Sequence, residues 1–121
     1  MFAKDDAEHP IPSEWHATFR EIVDAFVAGD YALRDHVIVG VSPIDTSTAA
    51  SIADNVLAYG DTLAPLNPAT WERSIYRWMG GYWQLLVDLT TTRERVSDLT
   101  LHAKLYRTGV TSLEIESVHV P

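Results

Sequence analysis

Five histidines, at positions 9, 16, 36, 102 and 119, are the side chains best suited to proton transfer or metal ligation in this sequence. Their spacing contains no His-Glu-x-x-His pattern and no pair four apart on one helix, and the chain has no cysteine to complete a zinc site. His102 and His119 can meet only if neighbouring strands carry them; otherwise all five are ordinary surface histidines. Ser74, Ser97 and Ser117 lack the Gly-x-Ser-x-Gly elbow of a hydrolase nucleophile, and the glycines form no phosphate-cradling loop. Carboxylate pairs remain: Asp88 with Asp98, and Glu114 with Glu116, which share one face of a strand. Such pairs can move protons, but a solvated strand face looks the same. No catalytic residue, metal or cofactor is therefore expected.

Aromatic residues are the other concentration of chemistry. Trp71, Trp78 and Trp83 lie close together with Tyr76 and Tyr82 between them. Rings of this kind bury large areas and keep a polar handle, which suits either an aromatic sheet core or a contact patch. Arg73 and Arg77 alternate through the segment and can stack on the rings.

The elements that position these residues are legible in part. His9-Pro10-Ile11-Pro12 ends an extended lead-in over residues 1–12. Ser13 is a suitable N-cap, and Trp15, Phe19, Ile22, Val23, Phe26 and Val27 recur at helical spacing up to Gly29. That predicts a helix over 14–28. After a connection containing Val37-Ile38-Val39, a second helix begins near Asp45 or Thr46. It buries Ala49, Ile52, Ala53, Val56 and Tyr59 and stops at Gly60. From residue 69 the texture becomes that of strands. Trp71–Met79 and Tyr82–Thr91 flank a Gly80-Gly81 turn, although Asn67-Pro68 can also open a short helix. Leu99, Leu101, Ala103 and Leu105 alternate with polar residues, and Leu113–Val120 closes the chain after Gly109. The order implies one α+β domain over 1–121: two N-terminal helices packed on one face of a three- to four-stranded antiparallel sheet.

Charge divides the chain. Residues 1–67 hold 11 acids and 3 bases, whereas residues 68–121 hold 6 of each, so the whole net charge of −8 belongs to the helical half. A negative field disfavours nucleic acid and attracts a basic protein. Glu21, Asp24, Asp30, Asp35, Asp54 and Asp61 are the candidate contact residues. Hydrophobic residues make up 46% of the chain, as in an ordinary soluble domain, and no apolar run is long enough to cross a membrane. The start has no signal-peptide pattern and there is no cysteine, so a cytoplasmic location is expected.

The string Trp78-Met79-Gly80-Gly81-Tyr82-Trp83-Gln84-Leu85-Leu86-Val87-Asp88-Leu89-Thr90, followed by Ser97-Asp98-Leu99-Thr100-Leu101 and Val118-His119-Val120-Pro121, resembles a family of small uncharacterised bacterial proteins. That family carries no activity to transfer. Small acidic α+β proteins of this kind are similar as a class to immunity proteins, which neutralise toxins of contact-dependent or other polymorphic systems. The resemblance implies a non-enzymatic binder of a basic toxin domain, such as a nuclease. A different expectation is a pocket protein similar to nuclear-transport-factor-2 or polyketide-cyclase folds. There Trp71, Trp78 and Trp83 would line a cavity, with Asp88 or His102 as acid–base groups. A third is a homodimer joined through exposed sheet aromatics.

Overall fold

Two glycines stop the two helices. The computed structural model describes residues 2–121. It opens with a short strand, β1 (His9–Pro10), one 3-10 turn (Ser13–Trp15) and helix α1 (His16–Val27). Gly29 follows α1 at φ +86° and Gly60 follows α2 (Thr46–Tyr59) at φ +84°. Both occupy the left-handed region that an L side chain resists. Asp45 caps α2 by accepting from the Thr48 N–H at 2.7 Å. Ser13 makes no such bond; the chain enters α1 through the 3-10 turn, with the Trp15 N–H donating to the Pro12 carbonyl.

After α2 come β2 (Leu63–Ala64), a second 3-10 segment (Pro68–Glu72), β3 (Ile75–Trp78), β4 (Trp83–Asp88), β5 (Thr90–Thr91), β6 (Thr100–Thr108) and β7 (Val110–His119). The main sheet is antiparallel and five-stranded in the order β1-β3-β4-β6-β7, and β2 pairs with β5 in a separate two-stranded sheet. The expected three or four strands were thus too few. β1, β2 and β5 are two residues long, too short to show any alternation. The 69–79 segment divides. Asn67 accepts from the Ala69 N–H and holds Pro68–Glu72 as a 3-10 turn, and strand geometry begins only at Ile75.

Alternation sets the two faces of the sheet. Trp83, Leu85 and Val87 pair across with Leu105, Ala103 and Leu101, and these in turn with Leu113, Ile115 and Val118. All nine are buried, in one cluster with Phe19, Ile22, Val23, Phe26, Ile52 and Val56 of the helices. α2 lies along β7 and α1 against β2. The opposite face carries Arg77, Gln84, Leu86, His102, Lys104 and His119 and stays partly or fully exposed. Both outer edges are met by other chain segments. β1 pairs with β3 through His9↔Tyr76 and Pro10↔Ile75, and Pro10 has no N–H to offer a further strand. On β7 the Leu113 carbonyl accepts from the Ser42 N–H at 2.9 Å, and the Val118 carbonyl from the Asn55 amide at 2.9 Å.

The start of the chain is packed. Phe2 is buried against Trp15, Tyr76 and Trp83. The Trp83 indole N–H donates to the Ala3 carbonyl, and the Ala3 N–H donates to the Tyr76 hydroxyl, both at 2.8 Å.

Candidate functional site

The six carboxylates named from the sequence fall into two groups. Asp30 and Asp61 are turned inward on their own loops. Asp30 accepts from the backbone N–H groups of Arg34, Asp35 and His36 and from His36 Nδ1. The His36 hydrogen bond, with the backbone donors behind it, pulls its pKa down to about 2. This anchor shapes a loop in which buried Leu33 is held at φ +56°, a conformation costly for a bulky residue. Asp61 accepts from the Thr92 hydroxyl at 2.6 Å and from the Thr62 and Arg93 backbone N–H groups. Hydrogen bonds from the Thr91 and Thr92 hydroxyls hold its carboxyl far below the usual range.

Glu21, Asp24, Asp35 and Asp54 are exposed. Their side chains have no hydrogen-bond or ion-pair partner among the described residues. Asp24 precedes Val27 by three residues on α1, and Asp54 precedes Leu57 by three on α2, a spacing that makes helix neighbours.

Between the C-terminal ends of the two helices lies an open groove of about 550 Å³, with Phe26, Val56 and Leu63 at its base and Val27, Leu57 and Tyr31 at its sides. Asp61, Thr62, Thr92 and Arg93 complete the lining. Leu57 is 82% exposed and Val27 43%. The helical spacing counted Val27 among the buried residues, but α1 runs out there and leaves it partly uncovered. Leu57 was missed, although its signal was available: it is the apolar residue of α2 that falls off the buried stripe.

The aromatics pack as core. Trp83 is buried beneath Phe2 and Trp78, and Trp71 stacks on His16 with ring centroids 3.8 Å apart. Rings in mutual contact leave no space between them for a ligand. Arg73 and Arg77 turn away from these rings to pair with Asp88 and Glu8, and the cations that do sit over rings are Lys4, Lys104 and Arg107.

His102 and His119 do meet on the open sheet face, stacked with centroids 4.2 Å apart. His102 Nε2 is buried without a hydrogen-bond partner. Burial, then the neighbouring His119, lowers the His102 pKa, and Glu116 opposes the shift. Asp88 and Asp98 line a common cleft with Arg73, but Asp88 is committed to Arg73 and to the Thr100 hydroxyl. Among the described residues no three His, Asp or Glu side chains are grouped to hold a metal ion, and no helix is long and apolar enough to cross a membrane.

Residues 23–121 match the family described as "Domain of unknown function (DUF7668)". The chain belongs to that family. The DUF7668 match begins inside α1, spans the whole meander from β3 to β7, and includes every residue that lines the groove. No curated protein and no solved structure matches the chain.

Proposed function

We propose that this chain is a non-enzymatic cytoplasmic binding protein that neutralises a basic protein partner by one-to-one contact, as an immunity protein does its cognate toxin domain. A nuclease toxin of a contact-dependent growth inhibition system is the most concrete partner. The observation that carries the reading is the state of the carboxylates on the helical half. Glu21, Asp24, Asp35 and Asp54 are exposed with no side-chain partner among the described residues, and residues 1–67 hold the entire net charge of −8. Isolated surface charge of one sign adds little to folding stability. It does steer a basic partner and speed its capture, and a stoichiometric inhibitor needs no chemistry beyond complementarity.

The test is to express the chain with the toxin domain encoded beside it and titrate one against the other by calorimetry. A one-to-one complex whose association slows steeply as salt rises supports the proposal. If no product of the neighbouring genes binds the purified chain, the proposal falls.

A further inference from the structure

Leu57 presents a physical oddity: a leucine 82% exposed in the last turn of a helix, forming the wall of a groove whose base is already apolar. The groove's own lining is balanced, with one carboxylate and one guanidinium, and its negative surroundings come from the helix ends and the acids flanking it. α1 ends at Val27 and α2 at the Gly60 cap, so the carbonyl ends of both helices, with their partial negative charge, lie beside it. Asp24 and Asp54 sit one turn before Val27 and Leu57, Asp61 lines the groove, and Arg93 is the one cation among the lining residues.

We infer that this groove docks an amphipathic helix of the protein partner. Its apolar face would lie against Val27, Tyr31 and Leu57, and its lysine and arginine residues would face Asp24, Asp54 and the two helix ends. The inference rests on the reading of the chain as a binder of basic proteins and names the surface and the partner chemistry.

A probe that does not depend on the toxin tests it. The full-length chain, labelled with nitrogen-15, is titrated with a synthetic leucine–lysine peptide that forms an amphipathic helix. Two controls accompany it: the same leucine pattern with glutamate for lysine, and the same composition scrambled so that no apolar face exists. The expected result is saturable one-to-one binding with amide shifts gathered at Val27, Tyr31, Leu57, Thr62 and Arg93. The scrambled peptide, and the Leu57→Ser variant with the intact peptide, should each bind roughly tenfold more weakly; Leu57 is exposed, so the variant keeps its fold. Equal binding of the glutamate peptide, binding indifferent to Leu57→Ser, or shifts centred on the sheet face would overturn the inference. The two proposals can fail separately. A toxin domain that binds Leu57→Ser as tightly as the parent removes the groove but keeps the inhibitor, whereas a groove that takes the peptide in a chain that binds no toxin does the reverse.

Discussion

On the open face of the sheet, Asp88 meets Arg73 at 3.1 Å and Glu116 meets Lys104 at 3.2 Å, and His102 packs against His119. On the helical half, Glu21 and Asp24 of α1, Asp35 of the connecting loop and Asp54 of α2 are exposed with no side-chain partner among the described residues. The same contrast holds for apolar groups: Leu101 of β6 is fully buried, whereas Leu57 of α2 is almost fully exposed. The charges named on the sheet face are paired within the chain, although Val110 of β7 is 84% exposed. The helical half leaves four acids and Leu57 on display, and displayed surface is where an external partner finds free energy to gain.

The largest expected break in this comparison is a pair of leucine truncations. Leu101→Ala should cost about 2–5 kcal/mol, because it removes buried methyl groups and leaves a cavity. Leu57→Ala should change stability by no more than about 0.5 kcal/mol. Urea denaturation of the two variants checks both figures, and equal losses would mean that Leu57 is not the exposed residue described.

Next come the anchored carboxylates. Asp30→Asn should lower the melting temperature at neutral pH, because Asp30 in its charged form holds three backbone N–H groups. Its pKa is depressed from 3.8 to about 2. The stability it contributes is therefore present above the unfolded value and lost as pH falls from about 4 toward 2. Melts across that range should fall less steeply for the variant. Asp24→Asn should leave the melting temperature unchanged.

His102 gives a gentler slope at higher pH. Its folded-state pKa lies below the ordinary 6.5, so acidification lets the unfolded chain take up a proton that the folded chain resists. Stability is complete above about 6.5 and declines as pH drops below it. His102→Gln should flatten this part of the curve, and an unchanged slope between pH 7 and pH 5 would show that the stack is indifferent to charge. The smallest expected effect on folding, and the most specific one on function, belongs to Asp24→Asn combined with Asp54→Asn. Stability should hold while association with a basic partner slows and loses salt dependence, as stopped-flow mixing would report.

The elements with local punctuation were readable from the sequence. Asp45, Gly29 and Gly60 mark helix ends through bonds and dihedral angles made within a few residues, and the alternation of Leu99 to Leu105 marks a buried strand face. The division of 69–79 was half readable: Asn67 and Pro68 announced the turn, but nothing local showed that it would yield to strand at Ile75. The pairing of β1 with β3, and of β2 with β5, depends on residues far apart in the chain. The groove is also tertiary, since it exists because two helices end side by side. Charge partition pointed to the helical half of the chain, but it could not separate Asp30 and Asp61, which serve their own loops, from the four acids with no side-chain partner among the described residues.

The topology has a consequence for synthesis. Both helices precede β3, β4, β6 and β7, so they leave the ribosome before any long strand of the sheet they lie on has been made. Until residues 75–119 follow, Phe19, Ile22, Phe26 and Ile52 have no sheet to cover, and nascent chains are then open to mutual adhesion. The 11 acids of residues 1–67 emerge with those same helices. Like-charge repulsion between unfinished copies would oppose that adhesion while the strands are still to come.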